Sequence, residues 1–189
     1  MFKIHVDTAA IQAALRRLEV AGEKLPSITA MVLNRVNTRV KQRVVDRLPE
    51  QTGLTRYTIS KAIKTRRASP GKLRAETYSR GGNISLKFFH PHEGGGGADA
   101  TVKGHHVHVS GGFRRAGPQG GRHAVKKLGG HVFTNTDGGK WRGHMRKVKS
   151  GVFIPKEMVT GASLDAFNQV VSTDLEAEIA KELRKIMGK

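Results

Sequence analysis

The recurrence of Ile28, Val32, Val36, Val40, Val44 and Leu48 every four residues, with Met31 and Val45 beside them, constrains this chain more than any other feature. Side chains spaced by four fall on one side of an α-helix, because a turn takes 3.6 residues. The spacing predicts a helix of about 22 residues, roughly 33 Å long at 1.5 Å per residue. Pro26 suits its first turn, where a missing N–H loses no partner. Pro49 is expected to stop it, since it donates no hydrogen bond and disfavours helical geometry at Leu48. A second stripe of Arg35, Arg39, Arg43 and Arg47 runs at the same spacing. Like charges so placed repel by a few tenths of a kcal/mol per pair. The stripe reads either as a solvated face or as one offset by acidic groups in the working assembly.

Around this helix the pattern is mixed. Phe2, Ile4 and Val6 alternate with Lys3 and His5, predicting a short half-buried strand. Asp7 is placed to cap a helix from Thr8 that shows Ile11, Leu15 and Leu18 on one face, and Gly22 to end it. After the turn PEQTG, Leu54, Ile59 and Ile63 predict a short helix capped by Thr52 or Thr55. Leu73, Ala75 and Thr77, then Ile84, Leu86 and Phe88, alternate on either side of Arg80-Gly81-Gly82-Asn83, which predicts a β-hairpin over 72–89. Sixteen of the 23 glycines lie between residues 90 and 151. That region reads as a mobile basic excursion, or as long loops on a partly formed sheet, with β-like pieces at 107–109, 131–134 and 140–148. VFIP, residues 152–155, reads as a strand ended by Pro155. Ser163 opens a second long helix, in which Leu164, Phe167, Val171, Leu175, Ile179, Leu183 and Ile186 recur at steps of three and four. Its early acids (Asp165, Asp174, Glu176, Glu178) and late bases (Lys181, Arg184, Lys185) complement the helix dipole. The expected class is α+β: a long helix in the N-terminal half and a C-terminal helix packed on a small, mostly antiparallel sheet. Residues 1–189 are expected to form one domain, with 90–150 a basic Gly/His-rich insertion or extended loop region.

Charge narrows the function. Lys and Arg total 34 against 15 acidic residues, a formal +19. Residues 51–156 hold 21 Lys/Arg against Glu76, Glu93, Asp99 and Asp137 alone, a local excess of +17. Such a field favours a polyanion or an acidic protein surface as partner. Aromatic residues are too few among these bases for extensive base stacking, so the expected contact is to the DNA backbone without sequence reading. With no cysteine there is neither a disulfide nor a thiolate site. MFKIHVDTAA lacks the apolar core of a signal peptide, and no stretch approaches the roughly 20 apolar residues that span a bilayer. No membrane association is expected.

Chemistry finds little support. His90, His92, His105, His106, His108, His123, His131 and His144 crowd one region, with Glu93 as a possible carboxylate ligand. Neither HExxH nor an ordered ligand spacing accompanies them, and glycine on all sides gives no rigid frame. GxxxxGK[ST] and GxSxG are both absent. The chain is expected not to be an enzyme and to need no metal or cofactor. A metal-dependent nuclease built on the histidines is the weaker alternative, and a DNA-binding or packaging protein that reads no sequence and forms no ring is another.

RLPEQTGLTRYTISKAI, which follows the long helix, resembles the P-x-x-T-G-x-L-x-x-S-I-like signature of tailed-phage minor tail components, with Leu54 directly after Gly53. SRGGNISLKFFHPHE, the basic glycine-rich region, GVFIPKEMVTGASLDAF and the C-terminal helix follow in the order of the prophage minor tail protein Z family, the tail completion proteins of long-tailed phages. The resemblance covers roughly residues 26–187. It implies a structural virion protein at the head-proximal end of the tail or neck, made in the host cytoplasm and assembled as a ring, six-fold by expectation. Its partners would be further copies of itself, neighbouring tail-terminator, tail-tube or head-connector proteins, and the backbone of double-stranded DNA. Two sets of basic residues are candidates for contact with DNA or a partner: Arg114, Arg115, Arg122, Lys126, Lys127, Arg142, Arg146 and Lys147 in the glycine-rich region, and the helical stripe Arg35, Arg39, Arg43 and Arg47. Gly-flanked bases can follow a phosphate backbone, which favours the loop set for DNA and leaves the stripe for acidic faces of neighbouring subunits.

Overall fold

The structure is a computed structural model that describes residues 2–5, 25–117, 123–137 and 144–187. The expected helix over 8–22 lies outside them. The predicted long helix is present as α1, Leu25–Thr52. Val32, Val36, Val40, Val44 and Leu48 are buried as the spacing requires, together with Leu33 and Val45. Met31, placed beside the stripe, is exposed and Ile28 is half-buried. Pro49 does not stop the helix, which runs one turn further. That turn is closed without the proline's N–H: Gly53 donates to the Pro49 carbonyl (2.8 Å) and the Thr52 hydroxyl to that of Leu48 (2.7 Å). Leu48 and Thr52 are fully buried, so packing holds the turn in place. Gly53 ends it at φ +76°, the left-handed conformation that glycine adopts without a Cβ clash.

Thr55 caps the short helix α2, Arg56–Ala62, by accepting from the Thr58 amide. Ile63, read as helical, instead begins strand β2, Ile63–Arg66. The first sheet joins β1 (Phe2–His5), β3 (Glu76–Ser79) and β2 in the order β1–β3–β2, antiparallel throughout. The predicted hairpin over 72–89 does not form. β3 takes both its partners from elsewhere in the chain, while Ile84 and Leu86 pair with the return strand of the glycine-rich region. The Ile84 amide donates to Val152, the Leu86 amide to Val148, and the Ser150 amide to Ile84. Residues Leu86–Phe89 then coil into a 3₁₀ turn that buries Leu86 and Phe89. Tertiary burial overrides the local alternation.

α1 lies between this sheet and the C-terminal helix. Asn37, buried on its sheet side, donates through its amide to the carbonyls of Glu76 (3.2 Å) and Arg66 (3.4 Å) and accepts from the Thr77 hydroxyl (2.7 Å). Residues 152–155 are not a strand: α3, Ile154–Glu157, carries Pro155 in its first turn, where the ring suits a helix. α4, Gly161–Met187, is the second long helix and buries Ala166, Val170, Leu175 and Ile179. The side chains of Leu183 and Ile186 are outside those described. Gln51 near the end of α1 donates to the Glu157 carbonyl (2.9 Å) and accepts from Ser163 (3.3 Å) near the start of α4, which ties the α3–α4 corner to α1.

The described part of 90–150 is more ordered than a loop excursion. β4 (His92–Gly94), β5 (Gly97–Val102) and β6 (His105–Ser110) make an antiparallel sheet in that order. β5 is built of small residues and buries Ala98, Ala100 and Val102. Gly97 and Gly112 admit no side chain, since a Cβ would stand 2.4 and 2.8 Å from the Val109 carbonyl oxygen. Short antiparallel pairs follow, β7 (Arg115–Ala116) with β8 (His123–Ala124) and β9 (Phe133–Asn135) with β10 (Met145–Lys147). The class is therefore α+β, with two long helices and several small antiparallel sheets.

Candidate nucleic-acid interface

The arginine stripe divides in two. Arg39 reaches Glu178 (2.6 Å) and Asp174 (3.3 Å) of α4, and Arg35 reaches Glu182 (2.5 Å) and Glu178 (3.2 Å). These pairs set α1 and α4 antiparallel. The acids expected on a neighbouring subunit thus belong to the chain itself, about 140 residues along it. Glu178 and Glu182 are only 4% and 6% exposed. Burial opposes ionisation of Glu178, but hydrogen bonds from Arg39 and Arg35 outweigh it and hold the carboxyl below its usual value. Lys185 and then Arg35 do the same for Glu182. The two guanidiniums are in turn stabilised as cations. Further along, Arg47 meets Glu50 at 3.6 Å on an exposed face, and Arg43 is exposed. Arg35 and Arg39 therefore hold helix to helix.

The loop set also divides. Arg114 folds back on the chain: its guanidinium donates to the carbonyls of Pro91 and Gly130, and Glu93 accepts from the amides of Arg114 (2.8 Å) and Arg115 (3.0 Å). The Arg115 side chain borders a cleft of about 360 Å³ walled by Gly94–97, Gly111, Gly112 and Glu93. Lys126 and Lys127 are exposed on a 3₁₀ turn, Lys126–Leu128. Arg146 is exposed on β10, and Lys147 is half-buried with its ammonium 6.0 Å from the Phe133 ring centre. Arg122 and Arg142 lie outside the described residues.

The histidines are dispersed over the sheets. His108 and His106 both contact Asp99 (2.7 and 3.2 Å), His144 contacts Asp137 (3.0 Å), and His131 bonds Ser85 (2.7 Å). Burial, then Lys87, Lys147 and Lys149, push the His131 pKa down. Among the described residues no three His, Asp or Glu side chains are grouped to hold a metal ion, and no helix is long and apolar enough to cross a membrane.

No protein-family model matches the chain, and no curated protein or solved structure is significantly similar to it.

A further basic surface is one that residue spacing did not single out. Residues 56–80, which form α2, β2, β3 and their connections, carry eight Lys/Arg and one acid, Glu76. Arg56 is held by Asp46 of α1 at 2.7 Å. Arg66 and Arg74 share the buried Glu76 (3.4 and 2.9 Å), so one carboxylate faces two guanidiniums. Lys61, Lys64, Arg67, Lys72 and Arg80 are exposed. The signal in the sequence was charge density; the grouping depends on the antiparallel pairing of β2 with β3.

Proposed function

We propose that this chain is a structural virion protein of the tail completion type, acting at the head-proximal end of a phage tail or neck as a six-fold ring around the DNA path. The reading starts from the resemblance of residues 47–63 and 79–93 to the minor tail protein Z family. The structural observation that supports it is a separation of charge. Glu178 and Glu182 are turned inward against Arg35 and Arg39, while most cations of residues 56–80 and of the loops stay exposed. A subunit so arranged presents a positive exterior that suits duplex DNA passing through a channel. Neighbouring tail-terminator, tail-tube or head-connector proteins would complete the assembly, which passes from the host cytoplasm into the virion.

Native mass measurement and negative-stain imaging of the purified protein test this reading, together with particles assembled without it. Rings of six with a central opening, and unjoined heads and tails in the depleted particles, are the expected results. A monomer at all concentrations, with depleted particles fully joined, would overturn the assignment in favour of a DNA-binding protein without a ring.

A further inference from the structure

We infer that the outer face of sheet β1–β3–β2, with α2 beside it, is the principal duplex-DNA surface of this chain, and that it grips phosphates without reading bases. Three observations converge. First, cations are concentrated on a rigid frame. Lys64 and Arg66 lie two residues apart on the edge strand β2, hence on one face and roughly 6.7 Å apart along it. They stand opposite Tyr78 and Glu76 of β3 in register, and Asn37 of α1 holds the backbone of both strands from behind.

Second, the aromatic rings on this surface already have cations against them. Lys61 sits 4.2 Å from the Tyr57 ring centre, and Arg66 and Arg80 lie 5.1 and 5.5 Å from that of Tyr78. A ring so occupied orients a cation and is not free to stack on an unpaired base, which is how single strands are commonly held. The surface therefore suits the phosphate rails of a duplex.

Third, the composition argues against a protein partner. Protein interfaces have an apolar centre depleted in charge. Among the described residues 56–80 the exposed ones are Lys, Arg, Ser, Thr, Gly and Pro, with Tyr57 the one large apolar group, 68% exposed. Of the loop cations, Arg114 is bonded to its own backbone surroundings and Lys147 is half-buried. DNA binding by isolated subunits goes beyond the ring and is read separately from ring assembly, so either can fail alone.

The test is fluorescence polarisation of the full chain on a labelled random-sequence duplex and on a single strand of equal length, over a salt series. The variant Lys61→Gln/Lys64→Gln/Lys72→Gln/Arg80→Gln leaves the Glu76 pairs intact. A control removes equal charge from the loops, Arg115→Gln/Lys126→Gln/Lys127→Gln/Arg146→Gln. Each phosphate that is no longer neutralised should lower the log–log salt slope by about 0.9. The sheet variant is expected to lose more than tenfold in duplex affinity and about three units of slope, and the control less than one unit. The native chain should bind the single strand no more tightly than the duplex. Lysine acylation of the native chain gives a readout that needs no variant: duplex should protect Lys61, Lys64 and Lys72. Equal losses in the two variants, unprotected lysines, preference for the single strand, or unchanged DNA binding with lost self-association would each overturn the inference, the last in favour of an acidic protein partner.

Discussion

Arg39 on α1 meets the buried carboxylate of Glu178 on α4 at 2.6 Å, and the same carboxyl group also receives Arg35. Removing one arginine leaves a carboxylate in a site from which water is largely excluded, so the loss exceeds that of a surface pair. Arg39 itself is two-fifths exposed, which reduces the effect. Arg39→Ala should destabilise the fold by about 1–2 kcal/mol. A double-mutant cycle with Glu178→Gln, followed by denaturant unfolding, should return a coupling of similar size. Strictly additive effects would show that the two residues act independently.

Acid should loosen the same junction. Glu178 and Glu182 have folded pKa values below their ordinary 4.5. Groups depressed on folding contribute stability that is present above the unfolded value and lost as pH falls through the folded one. Melting temperature should therefore fall on acidification below about pH 4.5, and less steeply in Glu178→Gln/Glu182→Gln than in the native chain. Parallel melting curves from pH 7 to 3 would assign the acid sensitivity to other groups.

His131 gives a second window nearer neutrality. Its folded pKa lies below the ordinary 6.5, chiefly through burial and then through Lys87, Lys147 and Lys149. The neutral ring is favoured in the fold, so its contribution is complete above pH 6.5 and is lost as pH falls through the folded value. An NMR titration should place this histidine below the ordinary 6.5. His131→Asn should lessen the stability change between pH 7 and 5, and an unchanged pH dependence would contradict the assignment.

Gly97→Ala tests the packing of β5 on β6. The added methyl would stand 2.4 Å from a backbone oxygen that has no rotamer by which to move away. The expected cost is about 2 kcal/mol or more, read by calorimetry. Gly95→Ala, with open space around the Cβ but φ +56°, should cost about 1 kcal/mol from backbone strain alone. Equal melting of the two variants would mean that β6 shifts freely.

The long helices were legible because their signal is local: Val36 and Val40 follow Val32 within two turns, and each is buried. The cap of α2 was legible for the same reason to within a choice of Thr52 or Thr55, and Thr55 is the one used. Pairing was not, because the partners of β3 are chosen by burial against α1 rather than by the turn at Gly81-Gly82. β5 escaped notice because Gly97, Ala98 and Ala100 lack the bulk that marks a strand, although they pair in register with Ser110, Val109 and Val107 of β6. At the candidate surfaces, the spacing of Arg35 and Arg39 was visible but the identity of their acids was not, since Glu178 lies 143 residues from Arg35. The charge of residues 56–80 was equally visible; its concentration on one face depends on the register of β2 with β3.

One amide contributes to that register. Asn37 offers its donors to two carbonyls on neighbouring strands and its acceptor to a hydroxyl on one of them. A slip of β3 by two residues in one direction keeps the inward and outward faces but presents Ala75, which has no donor, where Thr77 stands. The burial of apolar area would barely distinguish the two alignments. The amide does distinguish them, because in the wrong one its oxygen is stranded in the interior without a donor. Asn37 thus works less as an adhesive than as a proofreading contact: it makes the alignment with Ala75 expensive, and so helps to decide which side chains stand together on the far face of the sheet.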